Sequence, residues 1–210
     1  MEVPRSVAQP AAILAVLLAT GGLLAGCGSP SSPASQPGPT VTVTVTATPT
    51  PTATTAPPNP GGPPGCTTSA LAVSLGPGNG AAGSTYFPIK FTNVSSAACT
   101  LYGYPGVSFV TASGGQVGTA ATEDPVYPRR LVTLAAGTTA HAEVRVTNAM
   151  NYPASTCQPV AVHRLRVFAP GQTTARFATL NVTACTSASV QLLSVQTVQP
   201  GNGLAGYGRQ

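Results

Sequence analysis

An all-β fold, an immunoglobulin-like sandwich of about eight or nine strands, follows from three features of this chain. Only 6% of its residues are charged, against 23 glycines and 22 prolines, with Thr, Val, Ala and Ser abundant. That mix suits short strands and turns and suits helices poorly. From Leu71 onward apolar residues recur at every second position, the period of a half-buried strand. Clusters of turn residues interrupt these runs every ten residues or so, the spacing of a sandwich. The alternative closure of the same pattern is a small β-barrel.

In chain order, Leu71, Val73 and Leu75 share one face of a first strand. Gly76-Pro77-Gly78-Asn79-Gly80 is turn chemistry, after which Phe87, Ile89 and Phe91 alternate with Tyr86, Pro88 and Lys90. Pro88 lacks an N–H and predicts an edge strand or a bulge there. Val107 and Phe109, the turn Ser113-Gly114-Gly115 and Val117 predict a second hairpin. An irregular segment from Glu123 to Arg130 follows, then a strand near Leu131 to Leu134 that stops by Gly137. From Ala140 to Thr147 the alternation is clean, with Ala140, Ala142, Val144 and Val146 inward and His141, Glu143, Arg145 and Thr147 on a wet face. Ala161 to Phe168 and Arg176 to Val182 flank Ala169-Pro170-Gly171-Gln172 as a third hairpin. Ser189 to Val198 supplies a last strand with a bulge expected at Leu192-Leu193. No helix is expected after the leader, and residues 200–210 have the composition of a loose tail.

The N-terminus sets the compartment. Arg5 is followed by an uncharged apolar run from Ala11 to Leu24 and by small residues before Cys27, the order of an export signal rather than of a membrane span. Leu24-Ala25-Gly26-Cys27 resembles the bacterial lipobox. That resemblance implies diacylglycerol on the Cys27 sulfur, cleavage before it, and acylation (palmitate) of the new N-terminus. Two or three chains give stable anchoring on the extracytoplasmic face of the cell membrane. The expected organisation is therefore a signal peptide at 1–26, the lipidated cysteine and a Pro/Thr/Ser-rich stalk at 27–65, a β-sandwich at 66–199 and the tail at 200–210. Thr40 to Thr46 alternates Thr and Val, but the prolines from Pro49 end the pattern and it stays with the stalk.

Beyond Cys27 the cysteines are Cys66, Cys99, Cys157 and Cys185, enough for two disulfides in an exported chain. Cys157 and Cys185 are equidistant from Gly171, which places them side by side at the open end of the third hairpin. Pairing Leu71, Val73 and Leu75 with Phe87, Ile89 and Phe91 brings Cys66 and Cys99 together in the same way.

Cys99-Thr100-Leu101-Tyr102-Gly103-Tyr104-Pro105-Gly106, preceded by Phe91-Thr92-Asn93 and followed by Asn151-Tyr152-Pro153 and Cys157, resembles a family of domains of unknown function common in actinobacterial secreted proteins and lipoproteins. The likeness spans about Cys66 to Cys185. It implies a two-disulfide β-sandwich, with no established activity and no catalytic residues to carry over.

Charge narrows the partners. The formal value of +5 survives loss of residues 1–26, because Arg5 and Glu2 leave together. So small an excess argues against nucleic acid and leaves anionic envelope polymers or lipid headgroups. Hydrolysis by a serine nucleophile needs a base and an orienting acid. Beyond the leader the only candidates are His141, His163, Glu123, Asp124 and Glu143, with neither a Gly-x-Ser-x-Gly elbow nor a paired-carboxylate motif. An enzyme is not expected, nor a cofactor. Nor is a metal site, since disulfides take the cysteines and the histidines lack ligand spacing. His163 shares a strand face with Leu165 and Val167, the position of a core histidine.

Arginines are the stronger candidates. A hairpin symmetric about Gly171 sets Arg166 opposite Arg176 with Arg164 on the same face, and like charges across strands destabilise unless an anion offsets them. Arg129 and Arg130 extend that candidate anion-binding patch. Tyr104, Tyr127 and Tyr152, each followed by proline, fall in predicted loops and form a candidate recognition surface at one end of the sandwich. The expectation is a monomeric, non-catalytic binding or accessory lipoprotein of the cell envelope. Its alternative is an interaction lipoprotein docked on a membrane protein, with a hydrolase third.

Overall fold

In a computed structural model the chain is described over residues 56–57 and 59–203. The expectations for Cys27, the leader, the stalk up to residue 55 and the tail beyond Gly203 fall outside the described residues. The strands are β1 (Leu71–Leu75), β2 (Asn79–Ala81), β3 (Ser84–Asn93), β4 (Cys99–Tyr102), β5 (Gly106–Val110), β6 (Gln116–Val117), β7 (Thr122–Glu123), β8 (Leu131–Leu134), β9 (Thr139–Thr147), β10 (Pro159–Phe168), β11 (Ala175–Cys185), β12 (Leu193–Val195) and β13 (Gln199–Pro200). They exceed the expected number because β2, β6, β7, β12 and β13 are pieces of two or three residues.

The strands form an immunoglobulin-like sandwich and not a closed barrel. One sheet runs β1-β3-β9-β12-β7, with β2 also on β3 and β13 also on β9. The second runs β11-β10-β5-β6, and β4 pairs with β8 in a separate ribbon. Ile89, Phe91, Ala140, Ala142 and Val144 from the first sheet meet Leu165, Val167 and Phe109 from the second in one buried core, which Leu101 and Leu134 of the ribbon join. These are the inward positions that the period-two patterns mark.

Both predicted disulfides form. Cys66 bonds Cys99 with Cα atoms 4.8 Å apart, and Cys157 bonds Cys185 at 4.6 Å. The first hairpin pairs Val73 with Phe91 and Leu75 with Ile89, and the second pairs Phe109 with Val117.

Four local expectations are corrected. Pro88 lies in a central strand, because β3 is flanked by β1 and β2 on one side and by β9 on the other. Its carbonyl accepts from Gly76 N at 2.9 Å, so its missing N–H faces the place where β1 gives way to the Gly76–Gly78 turn, and no ladder bond is lost. The pairing with β9 stays in register through Leu192 and Leu193, both buried, and gains its one extra residue at Gln196–Val198, between Val195 on Val144 and Gln199 on His141. One helical turn does form, α1 (Ala154–Cys157), entered from Pro153 and closed by Gln158 in the left-handed conformation, whose N–H returns to Ala154 O. The outer face of β9 is dry at one end: Gln199 and Pro200 pair with His141 and Ala140, Gly203 lies against Glu143 and His141, and Glu143 is 6% exposed.

Candidate functional site

Chemistry-bearing side chains gather on the outer face of the β11-β10-β5-β6 sheet. Along β10, Val162, Leu165 and Val167 are buried, while Arg164, Arg166 and Phe168 alternate with Leu165 and Val167 on the solvent side. Cross-strand pairing sets Arg166 between Phe177 of β11 and Ser108 of β5, Phe168 between Ala175 and Gly106, and Arg164 between Thr179 and Val110. Gly106 has no Cβ where the Phe168 ring passes, and an added one would stand 3.4 Å from Phe168 Cδ2.

Both guanidiniums are anchored by neutral acceptors. Arg166 donates from Nε to Ser108 Oγ at 3.2 Å and from Nη2 to Gln116 Oε1 at 2.7 Å, and Arg164 donates from Nη2 to Ala112 O. Arg164 Cζ lies 5.6 Å from the Phe177 ring centroid and Arg166 Cζ 5.6 Å from that of Phe168. None of the four strands carries Asp or Glu. A guanidinium has five N–H donors, so each arginine keeps several for a ligand.

The register corrects the expected Arg166–Arg176 pair. Arg166 faces Phe177, and Arg176 faces the buried Val167. The turn is one residue off symmetry about Gly171, and a slip of one flips a strand's faces. Arg176 therefore leaves the patch and donates from Nε and Nη2 to Thr68 O at 3.3 and 2.9 Å, tying β11 to the turn before β1. A bulge between Val162 and Arg164 also removes His163 from the core. It is exposed, and its Nδ1 donates to Asn181 Oδ1 at 2.8 Å.

Arg129 and Arg130 belong elsewhere. Arg129 forms a salt bridge with Glu123 at 2.7 Å, 4.9 Å above the Tyr104 ring, and that bond keeps its guanidinium more firmly protonated. Arg130 donates to Gln199. Glu123 and Gln199 are in the other sheet. The tyrosines do not share one end. Tyr104 and Tyr127 lie on loops linked through Arg129, where Gly103 O accepts from Val198 N beside the start of β9. Tyr152 follows the far end of β9 and packs against the core.

His141, half-covered on β9, accepts no proton readily. Its burial lowers its pKa below 6.5, the nearby Lys90 lowers it further, and its hydrogen bonds to backbone carbonyls of Gly201 and Pro200 only partly offset this. Its Nδ1 donates to Gly201 O at 3.0 Å, and its Nε2 is 3.8 Å from Glu143 Oε1. A neutral imidazole makes that contact a polar one near pH 7 rather than an ion pair.

Among the described residues, two concavities flank the sheets. A cleft of about 470 Å³ opens between the β2–β3 hairpin tip and β11, lined in part by Phe87, Val146, Met150 and Val182. A groove of about 560 Å³ follows β1 and the start of β11, past Val94 and Phe177. Arg176, already engaged with Thr68 O, is the one ionisable residue lining either.

The fold defines a two-disulfide, immunoglobulin-like β-sandwich with an arginine–phenylalanine face. The chain belongs to the family described as Domain of unknown function (DUF4232), whose model matches residues 66–199. No curated protein and no solved structure matches it. Sequence reasoning missed Phe168, Phe177, Ser108 and Gln116 as parts of the face. The alternation of Phe177 with Ala178 and Leu180 carried a signal, but the β5–β10 pairing that brings in Ser108 and Gln116 left none.

Proposed function

We propose that this protein is a non-catalytic binding module of the cell envelope, anchored through lipid on Cys27 to the extracytoplasmic face of the membrane. In this reading it binds an anionic ligand on the outer face of its smaller sheet. The observation that carries the binding is that Arg164 and Arg166 are positioned by uncharged acceptors in a sheet without a carboxylate. Two like charges at successive outward positions of one strand repel at a cost that an anion would remove. Two disulfides fit an oxidising compartment, and the Leu24–Cys27 lipobox and uncharged stalk fit a tethered domain. The Cys-x-Leu-x-Gly-Tyr-Pro-Gly motif at 99–106 resembles that of actinobacterial secreted proteins and lipoproteins and supports this reading.

Thermal unfolding of the chain from residue 27, with Cys27→Ser for solubility, tests the binding against lipid headgroups, inorganic phosphate and cell-wall fractions. A ligand at about a hundred times its Kd adds roughly 2.7 kcal/mol and raises the midpoint by several degrees. The expected shift disappears in the Arg164→Gln/Arg166→Gln variant; a shift that survives refutes the site. Labelling with an alkyne fatty acid that is lost in Cys27→Ala tests the anchor. A second reading, docking on a membrane protein, is favoured by Val94 and Phe177, 60% and 47% exposed beside the β1–β11 groove. It predicts crosslinks from Val94 and Phe177 positions and no small-anion shift.

A further inference from the structure

Resting on the anion-binding reading, the outer face also specifies the shape of the ligand. Along β10 the order is Phe168, Arg166, Arg164 and, past the bulge, His163, an array about 17 Å long. Arg164 and Arg166 are two residues apart on one strand, so their Cα atoms repeat at about 7 Å. Arg166 is held by Ser108 on its own rung and by Gln116 on the rung of Arg164, and Arg164 is held by Ala112 O just past the end of β5, so both guanidiniums are fixed on the β5–β6 side of β10. Phe177, 47% exposed, stands beside Arg166 across the strand, its ring centroid 5.6 Å from Arg164 Cζ, giving an apolar wall beside the charges. Two arginines stepped along one strand, with apolar surface beside them, complement a chain whose charges are regular and joined by carbon.

We propose that this face binds a linear polyanion of the polyol-phosphate type, laid along β10 with successive phosphates on Arg164 and Arg166. A three-carbon polyol phosphate repeats at close to the two-residue rise of a strand, and its carbon backbone passes over Phe177. Uronic-acid polymers set their carboxylates at a different interval. A single phosphate gains one rung only, whereas the second phosphate of a chain arrives at high effective concentration.

The test is titration of the chain from residue 27, carrying Cys27→Ser, with poly(glycerol phosphate), glycerol 3-phosphate and polygalacturonate. Circular dichroism confirms that each variant is folded. Poly(glycerol phosphate) is expected to bind at least about tenfold more tightly than either comparison ligand. Arg164→Gln and Arg166→Gln should each reduce the salt dependence of binding by about one released counterion, by analogy with phosphate contacts to nucleic acid. Phe177→Ala should weaken the polymer and leave glycerol 3-phosphate unchanged. Arg145→Gln, on the other sheet and bonded to Ser84 Oγ, should change nothing. Equal affinity for polymer and monomer would overturn the polyanion while keeping the anion site, and tighter binding of polygalacturonate would replace the phosphate polymer with a carboxylate one. Loss of polymer binding in Arg145→Gln equal to that in Arg166→Gln would overturn the placement on β10. No binding of any anion would overturn the underlying reading as well.

Discussion

Arg166 and Phe177 are cross-strand partners on the outer face of the smaller sheet, and the same aromatic ring lies 5.6 Å from Arg164 Cζ without neutralising either arginine. Phe177→Lys converts that relationship into a direct like-charge pair. The expected cost is about 0.5–1 kcal/mol at low salt, shrinking as salt screens the pair. Urea unfolding at low and high ionic strength measures it. A salt-independent loss would mean that Phe177 acts through packing alone.

Asn93 is fully buried at the end of β3 and every polar atom of its side chain is used. Its Nδ2 donates to Ala97 O at 2.8 Å and Leu134 O at 3.0 Å, while its Oδ1 accepts from Ser95 N at 3.0 Å and Ser95 Oγ at 2.7 Å. It thereby joins β3, the loop to β4 and the end of β8. Asn93→Ala leaves the Leu134 carbonyl without this donor in a buried site and opens a cavity at a fully buried position, so a loss of about 3 kcal/mol is expected, larger than for Ser95→Ala. Equal losses in the two variants would show that the loop, and not the link to β8, dominates.

What could be read from the chain and what could not divide along a physical line. The Leu71–Leu75 and Phe87–Phe91 alternation set strand faces correctly and both disulfides followed, although β1 pairs with β3 two residues away from the expected register, with Val73 on Phe91 instead of Ile89. Those signals are local. The bulge between Val162 and Arg164 has no glycine or proline to mark it, so strict alternation puts His163 on the wrong face, and a turn that is not symmetric about Gly171 does the same for Arg176. Strand pairs far apart in sequence, β5 with β10 and β4 with β8, depend on which hairpins pack together, and no residue spacing encodes that. Half of the arginine patch was therefore legible, and the aromatic half was not.

Gly118 shows how tightly the second disulfide is packed. It has φ +63°, and a Cβ built there would lie 2.5 Å from Cys185 O, a backbone atom with no rotamer to yield. Gly118→Ala combines left-handed strain with that clash, and a loss of about 2–4 kcal/mol is expected in denaturant unfolding. Removal of the bond itself, by Cys157→Ala with Cys185→Ala, frees a 28-residue separation and should cost about 3–4 kcal/mol by loop-closure entropy. Were Gly118→Ala neutral, the Cys185 backbone would have to be free to shift, and the bond would then contribute less than this.

Acid sensitivity should originate partly at His141. Its pKa is lowered in the fold, chiefly by burial, so below the ordinary value of 6.5 the unfolded chain takes up the proton first. Stability from this group is fully present above about pH 6.5 and is lost as the pH falls toward the lowered folded value. Lys90 pairs with His141 across β3 and β9 and opposes its protonation, and Glu143 lies on the same face. Carboxylates also take up protons as the pH falls, so the informative quantity is a difference between variants. Unfolding free energy measured from pH 7.5 to about pH 5 should fall less steeply in His141→Gln than in the native chain. The Pro200–Gly203 segment, held through His141 Nδ1 to Gly201 O, should show faster amide exchange at the acid end only in the native chain. Parallel stability profiles for the two proteins would assign the acid limb to the carboxylates instead.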